Sequence, residues 1–482
     1  MGKLTITGKE LRAIGFPEGP VISVAIQTVA KNFKHATKEN VMELLQKVLV
    51  APVEYRNDAV WAMVAEKLMP EENTITETAL AEDAVPLHVF GKEHIDEKAM
   101  YQIEVAARLP ISVKAALMPD AHAGYGLPIG GVLATENAVI PYGVGVDIGC
   151  RMCLSIYDIN PIELERRQSF FNRELGAATL FGSGATFSDP ADHEVLDRKE
   201  FAEISLLRTL HGRAWKQLGT SGSGNHFVEF GAVTIRSDDE IPGVKAGMYT
   251  GLLSHSGSRG LGANIANHYT ALAKEKTKLP AEAANLAWLM LDEEAGIEYW
   301  ISMNLAGDYA SACHHIIHEK IQRQLGRAPI AMVENHHNFA WKEIHDGKER
   351  IVHRKGATPA AKNVLGIIPG SMTANGYIVK GKGETSSLHS AAHGAGRKMS
   401  RTAAINSISK HALHEVLAKH GVKLTGGGLD EAPFAYKDIE TVMQSQHALV
   451  DVIGIFTPKI VKMCGDEPKQ WKTKRGSQTE GE

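Results

Sequence analysis

The segment LPAEAANLAWLMLDEEAGIEYWISMNLAGDYASACHHIIHEKIQRQLG, Leu279–Gly326, is rich in residues that favour helices and lies among sequence of a different kind. On both sides of it, from about Ala84 to Gly465, short runs rich in β-branched residues are interrupted by glycine. Helices interspersed with such short strands predict an α+β domain in which many loops carry functional residues.

The two ends of the chain differ from this middle region. From Thr5 to about Glu82 the spacing of apolar residues is helical, and Thr37 can act as the N-cap of the segment TKENVMELLQKVLV. The acidic and polar segment PEENTITETALAEDA that follows is typical of a linker. We therefore predict an N-terminal helical extension with its linker over residues 1–83, the α+β domain over 84–465, and a disordered charged tail over 466–482.

Composition limits the possible functions. The chain has 482 residues, of which 44% are hydrophobic and 22% charged, as is ordinary for a globular enzyme. Its formal net charge of −4 gives no overall attraction for nucleic acid, so any phosphate-binding surface must be local. We see no signal peptide at the N-terminus and no apolar run of the roughly 20 residues that a membrane span needs. These features predict a cytoplasmic protein, not a membrane protein, in which the four cysteines are thiols.

Seven short segments of the middle region carry polar or metal-binding side chains, and six of them also contain glycine. Glycine allows a ligand to approach the backbone N–H groups, as phosphate and nucleotide sites require, although any one such segment could be an ordinary loop. Neither a P-loop nor a G-x-G-x-x-G fingerprint is present, so a nucleotide would be bound in another way. The segments are MPDAHAGYGLPIGG (Met118–Gly131), PYGVGVDIGCRM (Pro141–Met152), GTSGSGNHFVEF (Gly219–Phe230), SHSGSRGLG (Ser254–Gly262), ENHHNF (Glu334–Phe339), IPGSM (Ile368–Met372) and HGAGR (His393–Arg397).

Five side chains in these segments form a candidate metal centre. They are Asp147, Cys150, His226, His255 and His337. One carboxylate, one thiolate and three imidazoles could hold two divalent ions with the thiolate bridging them, and manganese and zinc both suit that set. The alternative for each histidine is a hydrogen-bonded loop residue.

Two other patterns resemble metal sites but are better explained as structure. Cys150 and Cys153 form a C-x-x-C without a second pair, so a zinc ribbon is not expected, and we interpret Cys153 as a small buried residue. The histidines of HHIIH lie in an amphipathic helical pattern, so we interpret His314, His315 and His318 as surface or core residues.

Taken in order, the motifs MPDAHAGYGLPIGG, GVGVDIGC, GSGNHF, HSGSRGLG, HHN, IPGSM, HGAGRKMSR and DEAPFAYKDIE resemble those of the RtcB family of GTP-dependent RNA ligases. The likeness covers about Ala84 to Gly465 and implies an RtcB-like catalytic domain with a central dinuclear metal cleft. It implies that Cys150, His255 and His337 bind one manganese ion and that Asp147, Cys150 and His226 bind the second. It also implies that His393 is the histidine that becomes guanylylated. The implied guanine nucleotide pocket consists of Asn225, Glu229, Asn338, Ser371, Gly394, Gly396, Arg397 and Tyr436.

The resemblance implies a reaction and its partners. A neutral imidazole can attack the α-phosphate of GTP, and metal ions and Arg397 would neutralise the charge that develops on the phosphoryl oxygens. GMP would then pass to an RNA 3′-phosphate, after opening of any 2′,3′-cyclic phosphate, and a 5′-hydroxyl end would displace it, as in RNA repair or tRNA splicing. An archease-type activator is a candidate partner. The alternatives are a metal-dependent cyclic phosphodiesterase or RNA 3′-end guanylyltransferase without efficient ligation, and a binding protein that keeps only the fold.

The chain departs from the family pattern at several positions. Arg151 stands where the family usually has glycine, which predicts a guanidinium beside the metals, and Thr373 and Gly376 alter the segment after Ser371. Cys464 stands where the family's C-terminal lysine would contact the nucleotide, so Lys462 could replace that lysine by a shift. The extension before Ala84 could be a stabilising or oligomer-forming cap, or an RNA-selecting surface.

Overall fold

The computed structural model describes residues 4, 6–17, 20–34, 36–69 and 77–465. The predicted tail over 466–482 and the first part of the predicted linker, 70–76, lie outside the described residues. The chain divides into two compact units, Met1–Thr76 and Glu77–Glu482. Among the described residues, no helix is both long and apolar enough to cross a membrane.

The first unit is helical and has its own hydrophobic core. Thr7 caps its first helix, where the Thr7 side chain and that of Glu10 satisfy each other's backbone N–H groups. Thr37 is the N-cap residue of the third helix, as predicted, although its side chain makes no capping hydrogen bond. Leu11, Leu45 and Val64 are fully buried in the core. The described helices are α1 (Gly8–Ala13), α2 (Pro20–Asn32), α3 (Lys38–Val50) and α4 (Ala62–Leu68), with a 3₁₀ turn over Pro52–Tyr55.

The second unit mixes helices and strands, which confirms the predicted α+β class. Its described strands are β1 (Leu87–Val89), β2 (Ser112–Tyr125), β3 (Leu127–Thr135), β4 (Ala138–Val139), β5 (Arg151–Tyr157), β6 (Phe227–Ile235), β7 (Gly247–Ser256), β8 (Leu289–Met290), β9 (Ala331–His336), β10 (Asn338–His345), β11 (Lys348–Lys355), β12 (Ala357–Pro359), β13 (Leu365–Ile368), β14 (Gly376–Gly381), β15 (Ser390–Ala392), β16 (Lys423–Thr425) and β17 (Val450–Met463).

Its described helices are α5 (Glu97–Ala107), α6 (Pro141–Val144), α7 (Ile162–Arg166), α8 (Gln168–Ala178), α9 (Glu200–Glu203), α10 (Ser205–Gln217), α11 (Arg259–Lys276), α12 (Glu294–Leu325), α13 (Arg401–Ser407), α14 (Lys410–His420) and α15 (Ile439–Ser445). Short 3₁₀ turns cover Lys92–His94, Glu194–Asp197, Ala284–Leu286, Leu429–Glu431 and Pro433–Ala435.

Two sheets position the functional residues. The larger runs β13-β14-β17-β6-β7-β5-β9, with β16 beside β17. Its neighbouring strands are antiparallel except for the parallel pair β16 and β17. The second sheet runs β1-β2-β3-β11-β10, and the short pair β12 and β15 leads into His393. Successive residues of a strand point to opposite faces of the sheet. In the larger sheet one face, which carries Glu229 and His255, lines a cavity, and the other, which carries Ser254, packs on helices.

The long helix α12 packs against the second of these faces. It begins at Glu294 and ends at Leu325, and its C-cap residue Gly326 takes a left-handed φ of 66°. The segment Leu279–Gly326 is therefore not helical throughout, since β8 and a 3₁₀ turn precede α12 and β8 pairs with β4.

The buried histidines of α12 have the structural role that was predicted. His314 and His318 are buried, and their rings hydrogen-bond to Ser254 of β7 at 2.5 and 2.8 Å. His318 also contacts the Ser155 hydroxyl at 2.7 Å. His315 is half-exposed and pairs with Glu334, and Cys153 is fully buried. Cys153, His314 and His318 lie close enough for a metal, but both ring nitrogens of each histidine already have protein partners.

Candidate active site

Four of the predicted metal ligands meet at one edge of the larger sheet. Cys150 and His226 directly precede β5 and β6, His255 is near the end of β7, and His337 directly follows β9. The strands β6, β7, β5 and β9 are consecutive antiparallel neighbours, so the starts of two and the ends of the others lie at the same edge. The sheet topology therefore brings together residues that are far apart in sequence.

The polar atoms of this group form a continuous chain of short contacts. Asp147 Oδ2 lies 2.9 Å from His226 Nε2, which is 3.5 Å from the Cys150 sulfur. That sulfur is 3.2 Å from His255 Nε2, which in turn is 3.2 Å from His337 Nε2. The central position of the sulfur divides the five groups into two sets of three that share Cys150.

The geometry and the donor set fit divalent metal ions. Zinc-like ions hold nitrogen and sulfur ligands at about 2.0–2.3 Å, which places neighbouring tetrahedral ligands roughly 3.3 Å apart. His255 Nδ1 lies 3.0 Å from the carbonyl oxygen of Asn225. If that nitrogen carries the proton, the Nε2 lone pair of His255 faces the cluster, as a ligand requires. His337 Nε2 faces His255 Nε2 at 3.2 Å, a separation that fits an ion bound by both nitrogens.

Burial shifts the pKa values of these candidate ligands. The shift keeps two of the histidines in the neutral form that binds a metal, whereas the Cys150 thiol needs a nearby cation to ionise. It lowers the pKa of His255 to about 3 and that of His337 well below its ordinary value, so both imidazoles stay neutral. Burial raises the pKa of the Cys150 thiol, which a bound cation would reverse. Burial opposes ionisation of Asp147 as well, but the neighbouring His226 outweighs it and lowers the pKa of Asp147 to about 2.

Close backbone packing explains two of the glycines. A Cβ atom on Gly257 would lie 2.0 Å from the Asp147 carboxylate. A Cβ atom on Gly396, where φ is 71°, would lie 2.0 Å from the carbonyl oxygen of Asp120. A side chain at either position would displace the groups that form the site.

His393 lies beside this cluster and is fixed by Asp120. Its Nδ1 is 2.7 Å from Asp120 Oδ2, and its backbone N–H donates to the same oxygen at 3.3 Å. The ring centroids of His393 and His337 are 4.9 Å apart. Asp120 is fully buried, and its other oxygen, Oδ1, has no hydrogen-bond partner among the described residues. A buried carboxylate on Nδ1 favours the tautomer whose Nε2 lone pair is free.

A cavity of about 800 Å³ joins the cluster to the predicted nucleotide residues. His393 and four of the predicted metal ligands line it, whereas His226 contacts Cys150 but does not line the cavity. All eight predicted nucleotide-pocket residues line the same cavity: Asn225, Glu229, Asn338, Ser371, Gly394, Gly396, Arg397 and Tyr436. Burial raises the pKa of Glu229 well above its ordinary value, so this carboxyl is easily protonated while it has no donor to bind.

A buried ionic network holds Arg397 and Tyr436 in the cavity wall. The Arg397 guanidinium lies 5.2 Å from the centre of the Tyr436 ring and donates to the carbonyl oxygen of Asp430 at 2.7 Å. Glu431, only 2% exposed, accepts hydrogen bonds from Arg397, Arg401 and the Tyr436 hydroxyl. The network fixes an arginine where an anionic ligand could contact it.

The predicted set of site residues omitted Asp120 and Glu431. Both lie in segments that drew attention in the sequence, MPDAHAG and DEAPFAY. Asp120 is separated from His393 by 273 positions, and no spacing rule connects them. His122, two residues after Asp120, also lines the cavity, and burial lowers the pKa of its imidazole to about 4.

The departures from the family pattern fall mostly outside the cavity. The prediction that the Arg151 guanidinium lies beside the cluster is wrong. The guanidinium lies on the opposite face of β5, where it donates to the carbonyl oxygen of Gly307 in α12 at 2.9 Å and pairs with Glu334. The Lys462 ammonium also lies outside the cavity, where it donates hydrogen bonds to the carbonyl oxygens of Gly176 and Thr179, each at 3.2 Å.

The altered segment after Ser371 does reach the cavity. Gly376 lines it, and the Thr373 backbone N–H approaches the Ser371 hydroxyl at 3.5 Å. Of the two altered residues, Gly376 is therefore the one that forms part of the cavity wall.

Comparison with known proteins agrees with the motifs. The family model described as "tRNA-splicing ligase RtcB" matches residues 102–206 and 185–463. The RNA-splicing ligase RtcB of Escherichia coli (strain K12) is 33% identical over 389 residues, which cover 74% of this chain and 92% of the relative. The tRNA-splicing ligase RtcB of Nanoarchaeum equitans is 31% identical over 452 residues, covering 78% of this chain and 95% of the relative. The tRNA-splicing ligase RtcB of Archaeoglobus fulgidus is 32% identical over 427 residues, which cover 73% of this chain and 88% of the relative. This chain belongs to the RtcB family.

Proposed function

We propose that this protein is a GTP-dependent RNA ligase that joins RNA 3′-phosphate or 2′,3′-cyclic phosphate ends to 5′-hydroxyl ends in the cytoplasm. The observation that carries the proposal is the placement of His393, which contacts Asp120 through Nδ1 and lies beside the His337 end of the metal-binding cluster. The relatives named as RNA-splicing or tRNA-splicing ligases support the same activity.

His393 is the nucleophile of the first step. The Asp120 contact keeps the proton on Nδ1, so the Nε2 lone pair attacks the α-phosphorus of GTP. An N–P bond forms, the bond between the α-phosphorus and the bridging oxygen breaks, and pyrophosphate leaves. Asp120 stabilises the positive charge that the imidazole gains in this step.

Two transfers follow and restore the histidine. An oxygen of the RNA 3′-phosphate attacks the phosphorus on His393, the N–P bond breaks, and the RNA end carries GMP. The 5′-hydroxyl of the second RNA then attacks the 3′-phosphorus, loses its proton, and displaces GMP. A 2′,3′-cyclic end is first opened by water to give the 3′-phosphate.

Cys150, His255 and His337 would hold one divalent ion, and Asp147, Cys150 and His226 the other. We propose manganese for both ions, with zinc as the alternative that the thiolate and imidazoles also suit. When bound, such ions lower the pKa of an attacking oxygen and neutralise charge on phosphoryl oxygens.

Residues of the cavity wall would recognise guanine and the phosphates. Glu229 is buried on the wall, and a guanine edge that offers two N–H donors would stabilise its ionised form. Asn225, Ser371 and Asn338 supply neutral hydrogen-bonding groups at the same cavity. Tyr436 provides an aromatic face, and the Arg397 guanidinium beside it provides positive charge for the phosphates.

The deciding experiment is covalent labelling with GTP radiolabelled at the α-phosphate, in the presence of manganese. Acid-labile label on the full chain and none on His393→Ala is the expected result. His411→Ala is the matched control, since this histidine is 83% exposed on α14 and should retain full labelling. Equal label on wild type and His393→Ala would refute the assignment of the nucleophile.

A second assay separates ligation from partial reactions. RNA with a 3′-phosphate end and RNA with a 5′-hydroxyl end are incubated with the protein, GTP and manganese, and a joined product is expected. The position of Lys462 outside the cavity favours the phosphodiesterase alternative, which needs no GTP, because the lysine contact to the nucleotide that the resemblance implies is then missing. Opening or capping of RNA ends without joined product, also after addition of an archease-type activator, would establish the phosphodiesterase or guanylyltransferase in place of the ligase.

A further inference from the structure

A second group of potential metal ligands lies away from the cavity, at the distal end of the hairpin formed by β10 and β11. It consists of Glu343 and His345 of β10 and His389 from the turn before β15. One ligand atom from each lies within 4.8 Å of the other two. None of the three lines the cavity that contains His393.

The arrangement offers an open face to an ion. The rings of His345 and His389 have centroids 4.8 Å apart, and His345 Nε2 lies 2.9 Å from Glu343 Oε2. Among the residues that the structure describes, no group hydrogen-bonds to the His389 ring. Glu343 is 22% exposed and His389 is partly exposed, so solvent can supply the ion.

Arg354 fixes the carboxylate from behind. This arginine is fully buried and donates to both oxygens of Glu343, at 2.6 and 3.0 Å. A carboxylate accepts about four hydrogen bonds or ligand contacts, so two remain beside those from Arg354. An ion bound by Glu343 and His345 would replace the present contact between His345 Nε2 and Glu343 Oε2. Metal-binding carboxylates are commonly held by such a hydrogen bond from a second residue.

The turn that presents His389 is unusual and firmly held. Leu388 and His389 have φ values of 53° and 50°, a left-handed conformation that side chains other than glycine rarely adopt. Arg354 donates to the carbonyl oxygen of Leu388 at 2.8 Å, and the Ala360 N–H donates to that of His389 at 2.7 Å. Backbone conformations of this kind persist where the surrounding structure fixes them, often at ligand sites.

We propose that Glu343, His345 and His389 bind a divalent ion of the zinc type, separate from the two ions of the Cys150 centre. Two imidazoles and one carboxylate are a common zinc ligand set, with water at the fourth position. The ion would link the end of the β10–β11 hairpin to the turn that leads, four residues later, to His393. It would therefore stabilise the segment that carries the nucleophile.

The test counts metal ions in the full-length protein. In a Cys150→Ser/His255→Ala background, which disables the first centre, equilibrium dialysis against zinc followed by elemental mass spectrometry should find one ion per chain. Adding His389→Asn should reduce this to none. Asparagine tolerates the left-handed conformation, so the turn is kept while the imidazole is removed. The control is His411→Ala, which removes an exposed histidine and should leave the ion bound.

Two further measurements separate loss of ligand from loss of fold. The His389→Asn and Glu343→Gln variants should keep the wild-type circular dichroism spectrum, and zinc should raise the unfolding temperature of the background protein but not of these variants. Cobalt bound in the background protein should show ligand-field bands without thiolate charge transfer, since this site contains no cysteine. Equal zinc content with and without His389→Asn, or a thiolate band from the remaining ion, would overturn the proposal.

Discussion

Replacing Asp120 with asparagine tests how His393 is activated. Two donors, the ring Nδ1 and the backbone N–H of His393, approach the same oxygen, Oδ2. The amide oxygen of an asparagine is therefore expected at that position, with its NH₂ group at the place of Oδ1, which has no partner among the described residues. Asp120→Asn would then preserve the tautomer of His393 and remove only the negative charge.

The size of the effect follows from this geometry. A hydrogen bond to a charged acceptor is worth about 1.5–3 kcal/mol and a neutral one about 0.5–1.5, so the change removes about 1.5 kcal/mol. The stabilisation is lost in the transition state, in which the imidazole gains positive charge. It corresponds to about a tenfold slower attack on GTP. Asp120→Ala also leaves the Nδ1 donor without its acceptor, which adds about 1–3 kcal/mol and makes that variant slower still.

The assay is the single-turnover rate of label transfer from GTP to His393 in saturating manganese. Asp96→Asn is the matched control, because Asp96 also lines the cavity but caps α5, where asparagine is an equally good N-cap. That variant should keep the wild-type rate. An Asp120→Asn rate equal to wild type would refute the role of the charge, and a loss beyond about a thousandfold would refute the predicted amide orientation, since a flipped amide gives the wrong tautomer.

Three further outcomes follow from the structure. Cys150→Ser should remove both ions of the Cys150 centre together, as measured by elemental analysis after dialysis, because its sulfur lies between the two ligand sets; retention of one of them would refute a bridging thiolate. Burial lowers the pKa of His318 to about 3, so between pH 6.5 and 3 only the unfolded chain binds this proton, and stability falls by about 1.4 kcal/mol per pH unit as the pH drops through that window. Urea unfolding at pH 7 and 5 should show that dependence reduced in His318→Gln, and an unchanged dependence would count against a neutral buried ring. Lys462→Ala should leave GTP labelling within twofold of wild type, since its ammonium binds backbone carbonyls outside the cavity; a large loss would restore the predicted nucleotide contact.

The grouping of the candidate metal ligands could be anticipated from the sequence because each lies in a short polar segment beside a strand. His226 and His255 fit this pattern, and the antiparallel order of β6 and β7 then brings them together. Asp120 could not be predicted in the same way, because it lies within β2 and meets His393 only through the packing of β15 near that strand. Glu431 was missed for a similar reason, since a buried carboxylate is recognisable only from the arginines around it.

One physical cause explains why neither Arg151 nor Lys462 reaches the cavity. Successive side chains of a strand point to opposite faces of the sheet. Arg151 and Lys462 are each adjacent in sequence to a residue that lines the cavity, so their own side chains point the other way. Cys150 lines the cavity, so Arg151 points toward α12. Val461 and Met463 line the cavity, so Lys462 between them points toward α8.

The same alternation explains how the candidate metal ligands are held in position. Behind Cys150 and His255, on the other face of β5 and β7, lie Arg151 and Ser254, both buried and both hydrogen-bonded to α12. An apolar face would hold the strands to the helix without fixing their position along it, whereas directional hydrogen bonds fix that position as well. A metal centre needs its ligands placed to a fraction of an ångström, and buried polar contacts are suited to that task. Through its contact with Gly307 of α12, Arg151 fixes the position of β5 behind the candidate metal ligands, which gives this departure from the family pattern a structural role.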